Sequence, residues 1–499
     1  MSNKLTDRIR ANELQSRVMP VETAASFVKK GMTVAVTGNI SPITEALMKR
    51  VERGNNFALT IWSGSIGLEV DKVWGEGGAI ARRAGQQNLM QELINAGKVT
   101  YCDIPMGTFC QSIRGKELGA LDIAIVEAAL ITKDGNIVPC SSLKEMPTFV
   151  QLADKVIVRL NTSYPFKIEG IHDVYMPRNP PHKEPIPIRQ VSDRIGTPFI
   201  PTDASKIAGI VVSDEPGTIF PLQQVDDVSK KIARNLVGFL REQVAAGRLP
   251  PHLLPIEVGV GRIATAVFEE LNNSEFESLE FYSAIVPDGI LDLIDRHKVR
   301  AVSGTELLLS AQGQNRFFAD LETYKKYIVL RPLEVADSPE IAARLGIIAI
   351  NSGIEIDIYG YANCTHIGGT RVINGIGGLG DFAQGAYLSI LALPSMTRHG
   401  DVSCVVPMVP HVSLTEHSVD IVVTEQGIAD LRGLCPVEKA QRLIESCAHP
   451  LYRPLLWDYF NRAVKNVGGH KPHLLEEAFS FHSRLAKYGS MKPSEISKQ

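Results

Sequence analysis

The chain has 499 residues, 44% hydrophobic and 21% charged, with 52 Lys+Arg against 55 Asp+Glu and a formal net charge of −3. That composition excludes a disordered or fibrous chain and, at about 100–200 residues per domain, predicts two or three globular domains. So small a net charge gives no broad attraction to nucleic acid or to an anionic membrane, so any anion site has to be local.

The seven cysteines, Cys102, Cys110, Cys140, Cys364, Cys404, Cys435 and Cys447, contain no C-x-x-C pair. A zinc knuckle and a thioredoxin-type motif are excluded, and reduced, mostly buried thiols are expected. The opening Met-Ser-Asn-Lys-Leu-Thr-Asp-Arg carries no apolar leader segment. No run approaches the ~18 apolar residues of a membrane span, so the expectation is a cytoplasmic protein with no membrane partner.

In chain order, MTVAVTG (32–38) reads as a buried strand ending on glycine, followed by a helix over 41–54 with a Ser-Pro start and a Gly stop. KVIVRL (155–160), IAGIVVS (207–213) and LGIIAIN (345–351) read as further buried strands. Residues 176–204 are proline-rich and irregular, and predict a long surface loop or crossing arm. The stretch 226–249 is an amphipathic helix with Ile232, Leu236, Phe239, Leu240 and Val244 on one face. AYLSILAL (386–393) has an apolar helix pattern, and Ile421–Val423 a buried-strand one. The alternation predicts α/β layers around parallel sheets, in two domains, 1–225 and 226–499. Two phrases pair between the halves: VAVTGNISPITEAL (34–47) with EVGVGRIATAVFEEL (257–271), and LDIAIVEA (121–128) with VDIVVTEQ (419–426). Two matches in one order point to an internal duplication.

Four features bear chemistry. Gly259-Val260-Gly261 ends a strand just before a helix at 263–271, a turn whose free N–H groups suit a phosphate or an oxyanion. A plain strand–helix connection has the same appearance, and the G-x-G-x-x-G dinucleotide spacing is absent. Asn374–Asp381 (NGIGGLGD) holds four glycines in six residues and reads as a ligand-binding loop. His366, in the small-residue stretch 359–370, has no second ligand at metal spacing and reads as a hydrogen-bonding residue. Glu425 lies just past a strand end, where parallel sheets host ligands, with Asp430 and Arg432 nearby as a local acid and base or as an internal ion pair. No G-x-S-x-G elbow occurs (Gly64-Ser65-Ile66-Gly67 does not fit it), nor a P-loop or HExxH motif.

These phrases resemble the acetyl-CoA hydrolase/CoA-transferase family, in particular its class I succinate/acetate CoA-transferases. The carriers are GVG (259–261), FYSAIVPDGILDLID (281–295), 328–351, the run from Glu355 to Phe382, VVPMVPH (405–411), VVTEQGIADLRGL (422–434), CAHPLYRPLL (447–456) and, in the first half, LDIAIVEA and HDVYMP (172–177). The resemblance implies a tandem pair of similar α/β domains with an active-site cleft between them, a homodimer, no tightly bound cofactor, and acyl-CoA and a small carboxylic acid as substrates. It also implies covalent catalysis. A glutamate attacks the thioester, and the resulting anhydride is converted to an enzyme–CoA thioester from which a second acid takes the CoA. By resemblance, Gly259, Val260, Gly261, Arg262 and Ile263 contact CoA, with the Val260 N–H and the Gly378 N–H as oxyanion donors. Ile354, Asn374 and Arg398 are implied as further CoA contacts, and Glu425 as a lining residue of the carboxylate pocket.

The chain departs from that pattern at the reaction centre. Where the family phrase reads Tyr-[Ser/Thr]-Glu-Val-[Leu/Ile]-Gln-Asp, this chain has Tyr282-Ser283-Ala284-Ile285-Val286-Pro287-Asp288. The nucleophilic glutamate is Ala284. Asp337 stands for a supporting asparagine, and Val212 for an arginine of acetate-using members. Three readings follow: CoA transfer altered at the nucleophile; thioester or C–C bond hydrolysis using Asp337; and acyl-CoA binding without catalysis.

Overall fold

The β-branched runs are too short for helices and buried on both sides, which is the signature of parallel strands. In the computed structural model, which describes residues 5–54, 57–64, 77–85 and 90–493, they become strands. Ser65–Gly67 lie outside the described residues. The chain forms two units, one made of residues up to Leu222 together with Glu280–Leu345, the other of Gln223–Leu279 and Gly346 onward. They are not consecutive halves: within a span predicted as one domain, 226–499, the segment Glu280–Leu345 returns to the first unit. The reason is tertiary. Strand Glu306–Leu308 pairs with Ile285–Pro287, while bridges Ser142↔Glu306, Lys144↔Pro332 and His172↔Leu330 stitch the segment to the first unit. The buried Arg331–Asp173 ion pair adds to them.

The first unit is built on strands β1 (Thr33–Thr37), β2 (Leu59–Ser63), β3 (Ile80–Gly85), β4 (Thr100–Cys102), β5 (Ile123–Ile131), β6 (Ile137–Pro139), β7 (Lys155–Asn161) and β8 (Ile207–Ser213). Their order is β4-β3-β2-β1-β5-β7-β8, parallel throughout, with β6 antiparallel on β5. Successive side chains face opposite ways along a strand. Val34, Val36, Ile123 and Ile125 therefore enter one core, and Ala35, Ala124 and Val126 another. The stretch predicted as a surface loop has no regular element until the turn Ala204–Lys206. It is nonetheless anchored, because Ile186 and Ile188 are fully buried and their carbonyls accept from Arg344.

In the second unit, strands Ile256–Val258, Ile348–Ser352, Leu388–Ala392 and Ile421–Val423 lie side by side and parallel, closed by antiparallel Ile428–Asp430. The apolar run 386–393 is thus a strand, not the predicted helix. The helix, Leu379–Gly385, ends just before it, and Leu388–Ala392 is buried at every position between two strands. A continuous apolar run has no period to separate the two states.

The phrase pair LDIAIVEA/VDIVVTEQ repeats in three dimensions. Asp122 accepts from Thr33 N–H (2.7 Å) and Asp420 from Ser389 N–H (2.9 Å), at the start of the neighbouring strand. Five residues on, Glu127 accepts from Asn39 N–H (3.1 Å) and Glu425 from Ser395 N–H (2.8 Å), in the turn beyond that strand's end. The other pair does not correspond: β1 adjoins β5 directly, whereas two strands lie between Ile256–Val258 and Ile421–Val423. Strand, glycine turn and helix recur in any α/β sheet and do not fix a place in it.

Candidate active site

The carboxyl ends of parallel strands are where an α/β sheet receives ligands, because the loops there diverge and helix N-termini point back. In the second unit that edge gathers several sequence-designated residues. Gly259 N–H bonds Ile350 O (3.3 Å), and Gly261, at φ 113°, turns the chain into helix Arg262–Asn273. The first N–H groups of that helix lack intrahelical acceptors. Val260 is 36% exposed on the turn, and Arg262 pairs outward with Asp226 (3.0 Å). At the next strand end, Ile354 N–H bonds Asn363 O (2.9 Å). Three strands over from the Gly259 turn, Glu425 accepts from Ser395 N–H and Oγ and from Gln426 Nε2 (3.0 Å). Burial pushes its pKa up, but these donors outweigh burial and hold it below the usual glutamate range. Glu425 is therefore a partnered carboxylate that fixes the Ser395 turn.

The glycine-rich loop is pinned by Asn374, whose N–H bonds Thr365 O (3.3 Å) and whose Nδ2 bonds Cys364 O (3.3 Å). Gly378 caps helix Leu379–Gly385 and accepts from Phe382 N–H (3.0 Å). Arg398 stands in an exposed turn at φ 51°. His366 stacks on His411 (3.8 Å between ring centres), and Asp430 pairs with Arg432. The sequence missed Asn351. It is buried at the same strand edge, and its Nδ2 meets no acceptor among the described residues.

Ala284 and Asp337 belong to the first unit. The Ala284 carbonyl accepts from both Thr305 N–H (2.9 Å) and Thr305 Oγ1 (2.6 Å). Asp337 follows the short helix Leu333–Ala336, with its N–H on Leu333 O (2.8 Å), and is 1% exposed. The Tyr282 hydroxyl donates to Val335 O (2.6 Å), in the same short helix, and burial pushes its phenol well above its usual pKa. Val212, near the end of β8, is 38% exposed.

One stretch, Ser141–Glu145, connects these positions. Leu143 N–H bonds Thr305 O (2.9 Å), so Thr305 holds Ala284 with its donors and residue 143 with its acceptor. Lys144 O accepts from Leu333 N–H (2.9 Å), at the start of the helix that carries Asp337. Sequence reading passed over this stretch, yet it is densely charged. Lys144 Nζ donates to Gly64 O (2.9 Å) and pairs with Glu306 Oε1 (2.6 Å), and Ser142 Oγ donates to Glu306 Oε2 (3.1 Å). Lys144 itself is at φ 41°, a left-handed conformation that costs a non-glycine residue about 1–2 kcal/mol. Beside it, Glu145 is fully buried. Its Oε1 accepts from Thr37 Oγ1 (2.9 Å) and Gly64 N–H (2.9 Å), bridging the carboxyl ends of β1 and β2, while no donor among the described residues reaches Oε2. Burial, countered by Lys144, by the Gly64 and Thr37 donors and by its own backbone N–H, raises its pKa above the ordinary glutamate value.

Two family models match the chain: the acetyl-CoA hydrolase/transferase N-terminal domain over residues 2–212 and the C-terminal domain over 313–460. The succinyl-CoA:acetate CoA-transferase of Clostridium kluyveri is 43% identical over 495 residues, covering 97% of this chain and 92% of that one. The acetyl-CoA hydrolase of Schizosaccharomyces pombe is 39% identical over 520 residues, covering 99% of each. Among solved structures, RipA from Yersinia pestis has the same fold, with a TM-score of 0.69 at 20% identity over 91% of this chain and 97% of that one.

Proposed function

The chain belongs to the acetyl-CoA hydrolase/transferase family, and from that membership we propose that it cleaves acyl-CoA thioesters with water, without an enzyme–CoA intermediate. The observation that carries this is the methyl group at position 284, where the resemblance places a carboxylate nucleophile. A methyl group neither attacks a thioester nor leaves from one, so the covalent route is closed at that position. Val212 supports the reading: an exposed apolar side chain stands where acetate-using members carry arginine, so an acceptor carboxylate has no cation there.

In this reading the Gly259–Ile263 turn, Ile354, Asn374 and Arg398 hold CoA. The Val260 and Gly378 N–H groups receive the oxyanion that forms as water adds to the thioester carbonyl. No resident cofactor takes part, and the working form is a homodimer in the cytoplasm. Asp337 is the acid–base that the sequence offers. The identity to a succinyl-CoA:acetate CoA-transferase favours a second reading, transfer to a carboxylic acid through a group other than residue 284.

The test is release of CoA thiol from acetyl-CoA and succinyl-CoA, with and without added acetate, alongside intact-mass analysis of the protein. Hydrolysis predicts thiol release that acetate leaves unchanged and no CoA adduct. Formation of a new acyl-CoA that depends on acetate, or an adduct of CoA mass, overturns hydrolysis in favour of transfer.

A further inference from the structure

Two of the loops assigned to CoA, at Asn374 and at Arg398, are tied to a single later segment of the chain. Helix Ser480–Tyr488 ends at Gly489, which at φ 76° caps it in the left-handed conformation and turns the chain back. Met491, two residues on, is 1% exposed and packs in the core of the second unit. The segment lies past the last phrase that carries the family resemblance, 447–456.

The helix holds the first loop. His482 Nε2–H donates to Glu355 Oε2 (2.8 Å), and both side chains are buried. Glu355 Oε1 accepts from Asn363 Nδ2 (2.8 Å), which also donates to His366 O (2.8 Å). Asn363 Oδ1 closes the turn by accepting from Thr365 N–H (3.1 Å) and His366 N–H (3.0 Å). That turn offers Asn363 O to Ile354 N–H, and Cys364 O and Thr365 O to Asn374. A buried carboxylate with both oxygens committed to one connected network fixes its partners in one arrangement.

The residues after Gly489 hold the second loop. Met491 N–H donates to Asp401 O (2.7 Å) and Ser490 Oγ to Asp401 Oδ1 (2.9 Å), with Lys492 Nζ 3.5 Å from the same oxygen. The Ser490 bond, joined by the Lys492 charge, holds the Asp401 carboxyl below the usual aspartate range. Asp401 N–H in turn bonds Arg398 O (3.1 Å). Arg398, His399 and Gly400 stand at φ 51°, 53° and 95°. Left-handed backbone at two successive non-glycine residues persists only where the surroundings enforce it. Tyr452 Oη, on Gly400 O (2.7 Å), is a further restraint on that turn.

We propose that residues 480–492 are a positioning element for CoA, setting the Asn374 loop through His482 and the Arg398 turn through Ser490 and Met491. This rests on the CoA-binding part of the reading above, and its residues all belong to the second unit. The element raises affinity by ordering both loops before CoA arrives, so that binding does not bear that cost.

The experiment measures CoA binding to the full chain by calorimetry, with the thermal midpoint of each variant alongside. His482→Ala is expected to weaken CoA binding about 10-fold. His482→Gln, whose amide donates to Glu355 in place of the imidazole, is expected to restore it. Ser490→Ala keeps the Met491 N–H bond and is expected to weaken binding about 3-fold. Combining His482→Ala with Ser490→Ala is expected to multiply the two losses, because separate bonds hold the two loops. Wild-type affinity in both single variants overturns the positioning role. So does a loss in His482→Ala that His482→Gln does not restore, which marks a general structural effect. If His482→Ala does not fold, wild-type affinity in Ser490→Ala overturns the role and weakened binding upholds it. A wild-type chain that binds no CoA overturns the reading underneath, a result distinct from all of these.

Discussion

Two buried glutamates stand at the carboxyl end of the same sheet and are treated differently by the fold. Glu127, just beyond the level where β1 ends, has every oxygen occupied: Oε1 accepts from Arg159 (3.1 Å) and Asn161 (2.7 Å), Oε2 from Asn39 N–H. Arg159 continues to Asn39 O (2.6 Å) and Ser213 Oγ (2.8 Å), locking the β1 turn to β7 and β8. Glu145 has one oxygen held and the other buried with no donor among the described residues, next to a lysine at positive φ. Burial raises the pKa of both groups, so desolvation alone does not separate them. Hydrogen-bond completeness does. A saturated carboxylate is a structural joint, while one with an uncommitted oxygen retains capacity for a proton or a substrate.

The sharpest way to break the comparison is to remove each group. Glu127→Ala leaves Arg159 charged, buried and unpaired, and is expected to cost about 3–5 kcal/mol of stability, read as a large fall in the thermal midpoint. Glu145→Gln keeps the Thr37 and Gly64 contacts through its amide oxygen and is expected to unfold at or above the wild-type midpoint. If the two variants lose stability equally, Glu145 is another structural joint.

Next in size is Asp337. Asp337→Ala is expected to abolish CoA release in a thiol-release assay, and an unchanged rate removes Asp337 from the mechanism. Ala284→Glu restores a nucleophile where the resemblance expects one, and is expected to add acetate-dependent transfer and a CoA adduct visible by intact mass. An inert variant that still binds CoA shows that position 284 no longer faces the thioester.

The smallest effect is in the pH dependence of stability. A carboxyl group whose folded-state pKa is raised keeps its proton where the unfolded chain has lost it, so stability from this source is full below the ordinary glutamate range and falls as pH rises through the raised value. Glu127 and Glu145 both contribute in that window. Glu145→Gln is expected to make chemical-denaturation stability fall less steeply there, and an unchanged slope removes Glu145 from the titration.

Much of this was legible in the sequence. The strands 33–37, 155–161 and 207–213, the helix Asp227–Ala245 and the turn at Gly259 follow from periodicity, caps and glycine placement. The Glu127/Glu425 repeat was visible as a phrase because its spacing of five residues from an aspartate is local. Leu388–Ala392 was misread because a run buried on both faces carries no period. The return of Glu280–Leu345 to the first unit, and Glu145 itself, were illegible for one reason. What defines them is tertiary, and the partners that aim Glu145, Gly64 and Thr37, are 81 and 108 residues away.

The most direct test is a single turnover of acetyl-CoA in ¹⁸O-water with enzyme in excess, followed by mass analysis of the acetate and of the peptides carrying Glu145 and Asp337. Direct attack of water predicts one ¹⁸O in acetate and unlabelled enzyme carboxyls. An ¹⁸O atom in either peptide, or a CoA adduct on either residue, contradicts it and makes that residue a nucleophile.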